Sequence, residues 1–424
     1  MSIDRRTFLK AGLQAGAMLI VGSGAKLTYS QSFNKGSLKN TADALLSRAV
    51  DTGDLPGVIA AVTKRDGTIY KAAFGERVIG QNVAMTTDTV AWIASMTKPL
   101  VCTAAMQLVE QGKLTLEAPA ARWVPDIAKV QVLEGWDANG QPRTRSPKRA
   151  ITLRHLLTHT SGFSYEIFNA DILRYHKVTG VPQILTCKNA TLFTPLVFDP
   201  GERWEYGISI DWIGKIVEAV SGKRLSTYMQ ENIFRPLGMK STAFKITPDM
   251  RARMAKVHHR DDDGKIVPIE FGIPQEPEFE LGTGGLYSTA EDYLKFIRLM
   301  LNRGKGNGNQ VLKPETVALM SRNAIGDIRI TPFKSTNLWA SKNVEFFPGI
   351  PKSWGLSFMI NEQTAPTGRS AGSLGWAGFA NSFFWIDQRM GIGGIYITQI
   401  LPFGDVKSLP LFYAFEKTVY QSLG

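Results

Sequence analysis

The chain is poor in cysteine and has no hydrophobic run long enough to span a membrane. It contains two cysteines among 424 residues, Cys102 and Cys187. Two cysteines exclude a disulfide framework and lack the spacing of metal ligands, although a single bridge between them stays open. The apolar stretch 11–25 is short and rich in small residues, so we expect no stable membrane insertion.

The sequence also lacks a charge cluster of the kind that binds nucleic acid. Its formal net charge is +12, but the basic residues are dispersed, and no aromatic side chain interleaves with the densest run, 143–149. We interpret this run as a solvated loop and expect no nucleic-acid partner. The Gly-x-Ser-x-Gly elbow of α/β-hydrolases is missing too, since its nearest match, 207–211, ends in Asp.

Candidate metal ligands are sparse. His155 and His159 lie four residues apart, but no Glu follows His155 and no third ligand is apparent. We assign both a structural role and expect neither a metal nor another cofactor. Asp211 and Asp292 follow possible helix starts, where the helix dipole favours carboxylates, so we assign them no chemistry.

The N-terminus has the pattern of an export signal. Arg5 and Arg6 precede Phe8 and the apolar stretch 11–25, as in twin-arginine signals that export folded proteins. We therefore expect residues 1–30 to be a signal and the protein to be periplasmic or secreted. The remainder, 31–424, is predicted to be one hydrolase domain.

A serine and a lysine at helical spacing are the main chemical signal. Ser95 and Lys98 stand three residues apart at the start of an apolar-periodic segment that ends at Gly112. This spacing places the hydroxyl and the amine on one face of a helix, so the amine can activate the serine without a histidine. Two other Ser-x-x-Lys matches, 23–26 and 32–35, lie in or just after the export signal.

Predicted strands occur at both ends of the chain, which indicates one sheet built from both ends. Residues 58–63 and 68–74 read as two strands around an Asp-Gly turn. Later strands are predicted at 354–360, 381–386 and 394–400, before a closing helix at 406–423. The sheet lobe is thus expected at about 31–120 and 281–424, with a mainly helical insertion at about 121–280 and the active site between the two lobes.

Several motifs together resemble one family of serine hydrolases. Tyr206 lies just ahead of a predicted helix and is a second candidate for proton transfer. The motifs resemble those of the class C β-lactamase fold, which includes penicillin-recognising peptidases, family VIII carboxylesterases and transesterases. They are SMTK at 95–98, LLTHTSG at 156–162, PGERWEY at 200–206, FRPLGM at 234–239, GTGGLYSTAEDY at 282–293 and GWAG at 375–378.

The resemblance implies a fold and a role for each site residue. The fold would be α/β (α+β), an antiparallel sheet flanked by helices with an inserted helical lobe. Ser95 would be the acylated nucleophile, Lys98 would lower the pKa of its neighbours, and Tyr206 would relay the proton as a phenolate-like oxygen. The backbone N–H groups of Ser95 and Phe379 would form the oxyanion hole.

Two departures from the β-lactamase pattern bear on the substrate. Ile208 stands where those enzymes usually have Asn, and Trp376, Ala377 and Gly378 replace their Lys-Thr-Gly. A carboxylate-bearing substrate thereby loses two polar partners, each worth about 1.5–3 kcal/mol when the hydrogen bond is charge-assisted. An uncharged ester loses nothing and gains an aromatic wall.

These observations favour a cofactor-free serine carboxylesterase that acts on uncharged, short-chain esters through an acyl-enzyme at Ser95. The first alternative is a class C-type β-lactamase or a D-alanyl-D-alanine peptidase. A transesterase differs only in its acyl acceptor, and a non-catalytic binding protein on the same fold also stays open. Oligomeric state and the physiological ester are not indicated by the sequence.

Overall fold

A seven-stranded antiparallel sheet forms the centre of the protein, for which a computed structural model describes residues 35–423. The predicted export signal at 1–30 lies outside the described residues. The strands are β1 (Gly57–Lys64), β2 (Thr68–Gly75), β3 (Lys352–Trp354), β4 (Met359–Asn361), β5 (Leu374–Gly378), β6 (Ser382–Asp387) and β7 (Ile392–Ile397). Their spatial order is β3-β4-β5-β6-β7-β1-β2.

The pairing of β1 with β7 joins the two ends of the chain, as the sequence predicted. Ile59 pairs with Ile397 and Lys64 with Ile392 in an antiparallel register. Nearly every residue of β1 is buried, because helices pack on both faces of the sheet. This arrangement confirms the α/β class with an antiparallel sheet.

One predicted strand is wrong. Residues 354–360 do not form a continuous strand but a hairpin between β3 and β4. The turn contains Gly355, where a Cβ atom would lie 2.3 Å from the carbonyl oxygen of Met320. The residues on both sides of this turn are apolar because both are buried. The apolar pattern of a buried hairpin therefore looks the same as that of one continuous buried strand.

Between residues 35 and 423, six helices of eight or more residues surround the sheet. They are α1 (Lys35–Asp51), α2 (Thr97–Glu110), α3 (Ala170–Thr179), α4 (Ser209–Ser221), α5 (Ala290–Leu301) and α6 (Ser408–Gln421). Helices α1 and α6 pack on each other, and α5 packs on β1 and β7. Within the described residues, no helix has the length and apolarity needed to cross a membrane.

Shorter elements connect these helices and strands. Short helical segments are Ala94–Met96, Ala120–Arg122, Pro125–Lys129, Leu153–Leu157, Ile184–Thr186, Asn189–Phe193, Leu225–Met229, Gln230–Phe234, Arg235–Leu237, Pro248–Ala252 and Pro314–Met320. Small strands pair Ala91–Trp92 with Tyr287–Ser288, Val132–Trp136 with Pro142–Arg145, Lys305–Gly306 with Asn309–Gln310, and His258–Arg260 with both Ile266–Pro268 and Ile400–Leu401. The hydrophobic core is continuous across 121 and 281, so the lobe boundaries there stay a prediction.

Candidate active site

Ser95 lies in a tight turn at the start of α2. The turn is the 3₁₀ segment Ala94–Met96. Ala94 has φ 44°, a left-handed conformation that is costly for a residue with a Cβ atom. The N–H of Ile93 donates to the carbonyl of Leu286 at 3.1 Å, and the N–H of Leu286 donates to Thr97 Oγ1 at 3.1 Å. These contacts on both sides of the turn hold Ser95 in its position.

Lys98 is fully buried one helical turn after Ser95. Its Nζ donates to Ser95 Oγ at 2.9 Å and to the carbonyl oxygen of Thr283 at 2.7 Å. Burial lowers the pKa of Lys98 well below its usual range, and the Asp211 carboxylate opposes this change only in part. A buried amine of this kind can accept a proton from a neighbouring hydroxyl near neutral pH.

Asp211 is part of the same cluster, although the sequence analysis assigned it no chemistry. It is fully buried in α4 and accepts hydrogen bonds from the Thr283 N–H at 2.9 Å and from Thr283 Oγ1 at 2.8 Å. Burial raises its pKa, while Thr283 and Lys98 act in the opposite direction. Asp211 therefore holds Thr283, the residue whose backbone carbonyl accepts a hydrogen bond from Lys98. The position of Asp211 near a helix start did not indicate this contact.

Tyr206 lies against the other two groups. Lys98 Nζ lies over the Tyr206 ring, 4.5 Å from its centre. Burial raises the pKa of Tyr206, and hydrogen bonds from Ser95 and Trp376 oppose this increase only in part. Burial thus favours the protonated phenol, which is opposite to the phenolate-like oxygen expected from the sequence, because it removes the solvation that a phenolate needs.

Trp376 does more than form an aromatic wall. Its indole N–H donates to the Tyr206 hydroxyl at 3.1 Å, and the two ring centres are 5.0 Å apart. The Trp in place of the β-lactamase Lys thus orients the phenol in addition to removing a cation. Sequence analysis predicted the apolar contact of Trp376 but not this hydrogen bond. The bond depends on how β5 packs against Tyr206, which is 170 residues away along the chain.

The end of β5 approaches the serine turn very closely. A Cβ atom on Gly378 would lie 2.5 Å from the Ile93 carbonyl oxygen, so only glycine fits there. The backbone N–H of Phe379, which follows, makes no hydrogen bond to any residue in 35–423. A free N–H at the rim of the serine site is what an oxyanion hole requires, and this role for Ser95 and Phe379 remains a prediction.

Two cavities meet at Ser95. The larger has a volume of about 240 Å³ and is lined by Tyr206, Trp92 and Phe379 among others. The smaller, about 20 Å³, lies beside Trp376 and Ala377 and has room for little more than one water molecule. Any sizeable part of a substrate must therefore enter the larger cavity.

Two of the predicted substrate-binding residues do not line these cavities. Ile208 is 2% exposed and is absent from both walls, and Gly378 is covered by its approach to the serine turn. Ile208 follows Tyr206 by two residues along the chain, but its side chain packs in the core. The discrimination that we attributed to the missing Asn therefore has no direct contact to support it.

The histidines and cysteines of the region are structural. His155 Nδ1 accepts the Thr152 N–H at 3.2 Å in a capping box, and His159 packs 5.0 Å from Tyr206 with its pKa lowered by burial. Cys102 and Cys187 are both buried and unbridged. Across 35–423, no group of three His, Cys, Asp or Glu residues could hold a metal ion.

Comparisons with known proteins identify the family of this chain. The Beta-lactamase family model matches residues 42–415. The chain is 33% identical over 393 residues to a monacolin J acid methylbutanoyltransferase of Aspergillus terreus, which covers 88% of this chain and 93% of the relative. It is 30% identical over 396 residues to a lovastatin esterase of Penicillium rubens, with coverages of 89% and 98%.

Solved structures point the same way. Simvastatin synthase (LovD) from Aspergillus terreus superimposes with a TM-score of 0.79 at 30% identity, over 90% of this chain and 97% of that one. EstCE1, described as a hydrolase with promiscuous acyltransferase activity, shares the fold with a TM-score of 0.72 at 24% identity, over 91% and 99%. The chain belongs to the beta-lactamase family, and it is an enzyme of the serine hydrolase and acyltransferase type.

Proposed function

We propose that this protein is a carboxylic ester hydrolase that forms an acyl-enzyme at Ser95 and prefers substrates without a carboxylate. The observation that carries the proposal is the 2.9 Å hydrogen bond from Lys98 to Ser95 Oγ, in a site where burial lowers the lysine pKa. A neutral amine at this distance is a general base for the hydroxyl.

The arrangement supports the following course for the reaction. Ser95 Oγ attacks the ester carbonyl carbon while its proton passes to the Lys98 amine. The oxyanion is stabilised by the N–H groups of Ser95 and Phe379. Tyr206, kept protonated, gives its proton to the leaving alkoxide and regains one from Lys98. Water then attacks the acyl-enzyme, with the same groups acting in reverse.

The acyl acceptor distinguishes a hydrolase from a transferase. The named relatives include both a methylbutanoyltransferase and an esterase, so acyl transfer to an alcohol is the second candidate for this chain. The specific observation in its favour is the largely apolar cavity of about 240 Å³, which can hold an alcohol in place of water. The ratio of free acid to transferred ester, measured with added alcohols, separates the two.

Antibiotic or peptide hydrolysis is the remaining enzymatic alternative. The wall of the smaller cavity presents Trp376 and Ala377 and no cation that could pair with a substrate carboxylate. We therefore expect fast turnover of p-nitrophenyl butyrate and negligible turnover of a chromogenic cephalosporin, measured side by side on purified protein. Efficient cephalosporin turnover would replace the esterase proposal with the lactamase alternative.

Two variants test the mechanism. Ser95→Ala is expected to abolish ester turnover, and Tyr206→Phe to reduce kcat by about 10²- to 10⁴-fold. Both changes remove one oxygen atom without altering packing, so the melting temperature serves as the control for folding. Substantial turnover by Ser95→Ala protein would remove the acyl-enzyme from consideration and favour a binding protein on this fold.

We also propose export through the twin-arginine pathway, on the sequence pattern at Arg5 and Arg6 alone. Replacement of both arginines with lysine keeps the charge but removes the feature that the pathway reads. We expect the variant to accumulate in the cytoplasm, as measured by cell fractionation. An unchanged distribution between compartments would contradict the proposal.

A further inference from the structure

The wall of the larger cavity at Ser95 includes one residue with a carboxyl side chain, and the other residues of the wall are uncharged. Among the residues that line it, Glu166 is the only one with an acidic or basic side chain. No ion pair or side-chain hydrogen bond joins Glu166 to another residue in the described chain. Burial raises the pKa of Glu166, and the bond from its own backbone N–H opposes this only slightly.

The backbone of Glu166 is held firmly at the wall. Thr336 Oγ1 donates to the Glu166 carbonyl oxygen at 2.7 Å, and the Thr336 N–H donates to the Ile167 carbonyl oxygen at 2.9 Å. These two bonds connect the segment that carries Glu166 to the loop across the cavity. The backbone of Glu166 is thus a fixed part of the cavity wall.

Aromatic rings form much of the remaining wall. The centres of Trp92 and Phe271 are 4.5 Å apart, and those of Trp92 and Phe379 are 6.5 Å apart. Trp339 stacks on His259 with 4.4 Å between ring centres. Aromatic faces attract alkylammonium groups, and the attraction increases when water is excluded. An isolated carboxylate in such a wall pays for its desolvation unless a cation compensates it.

We infer that the cavity at Ser95 selects esters that carry an alkylammonium group and rejects those that carry a carboxylate, with Glu166 as the specificity-determining residue. This inference rests on the proposed esterase function and narrows its substrate class. The protein as a whole has a formal net charge of +12, which would by itself favour anions. The selectivity must therefore come from short-range contacts, which salt near 0.15 M leaves largely intact while it screens distant charges.

Two small inhibitors of opposite charge test the inference. Butyltrimethylammonium and pentanoate are compared as competitive inhibitors of p-nitrophenyl acetate hydrolysis at 0.15 M salt. We expect a Ki for the ammonium about tenfold or more below that for the carboxylate. Glu166→Gln should weaken binding of butyltrimethylammonium and strengthen binding of pentanoate, so the ratio of the two Ki values approaches one.

A matched variant, Glu202→Gln, and the inactive control Ser95→Ala separate failure of the inference from failure of the esterase function. Glu202 is exposed and lies outside the cavity wall, so Glu202→Gln removes the same charge and should leave both Ki values unchanged. Because a loss of packing would weaken both inhibitors, only opposite changes support a charge effect of Glu166. If the unaltered protein hydrolyses the ester and Glu166→Gln leaves both Ki values unchanged, the inference is overturned and the esterase function stands. If the unaltered protein hydrolyses the ester no faster than Ser95→Ala does, the esterase function is overturned as well.

Discussion

At the scale of single residues, the pH dependence of the reaction is determined by the buried pair of Lys98 and Asp211. The negative charge of Asp211 raises the pKa of Lys98, whereas burial lowers it more strongly. Asp211→Asn removes the first effect, so the amine stays neutral to lower pH. The acidic limb of kcat/KM, where Lys98 gains a proton and can no longer accept one, is expected to shift toward lower pH by about one unit.

A second variant separates the charge from the hydrogen bonds. Thr283→Val removes the Oγ1 bond to Asp211 at 2.8 Å but keeps the carboxylate and the Thr283 N–H. It should reduce kcat and shift the acidic limb by less than Asp211→Asn does, because the carboxylate and one of its hydrogen bonds remain. A profile of Asp211→Asn that overlies that of the unaltered protein would show that Asp211 only supports the local packing.

The same residues show how far the sequence could predict the site. Ser95, Lys98 and Tyr206 stand in ordered motifs, and the structure brings them together. Asp211 and Glu166 carry no motif signal, because their importance comes from burial beside Lys98 or in the cavity wall. Burial also favours the protonated form of Tyr206, and the motif could not indicate this tendency, because desolvation depends on depth and not on neighbours in the chain.

At the scale of elements, the approach of β5 to the serine turn determines the width of the site. A Cβ atom at Gly378 would lie 2.5 Å from the Ile93 carbonyl oxygen, which is backbone and cannot rotate away. Gly378→Ala should therefore separate β5 from the turn and reduce kcat/KM by roughly 10²-fold, because misplacement of about 1 Å costs this much. Initial rates on a p-nitrophenyl ester measure the loss.

Gly67 offers a control for this substitution. Its Cβ position is empty within 4 Å, and it lies in the turn between β1 and β2 of the same sheet. Gly67→Ala should leave kcat/KM within about twofold. Equal losses in both variants would mean that the sheet as a whole, and not its contact with the serine turn, is sensitive to added side chains.

The elements themselves were predictable to different degrees. Helices α4 and α5 have strong apolar periodicity, whereas α2 is buried on nearly all sides, and the structure has helices at all three predicted positions. The hairpin between β3 and β4 was not predictable, because its turn glycine is required by a distant carbonyl, that of Met320. Close approaches between segments far apart in sequence leave no local pattern.

At the scale of the whole molecule, a buried ion pair attaches the last helix, α6, to the rest of the protein. Arg369 Nε donates to Glu416 Oε1 at 2.6 Å, and these side chains are 3% and 0% exposed. Arg369 precedes β5, so the pair joins the closing helix to the strand that forms the active-site wall. Removal of one member of such a pair is expected to cost about 3–5 kcal/mol of unfolding free energy.

The two single variants should not be equally destabilising. After Arg369→Met, Glu416 can take up a proton, which its raised pKa already favours, so the remaining group becomes neutral. After Glu416→Gln, the guanidinium stays charged at every accessible pH and has lost its partner. Urea unfolding is therefore expected to give a larger loss of free energy of unfolding for Glu416→Gln.

The loss for Arg369→Met should decrease as the pH falls, because an acid with a raised folded-state pKa is stabilised by protonation. A larger or pH-independent loss for Arg369→Met would contradict this account and point to its contact with the Phe347 ring, 5.0 Å away, as the main interaction.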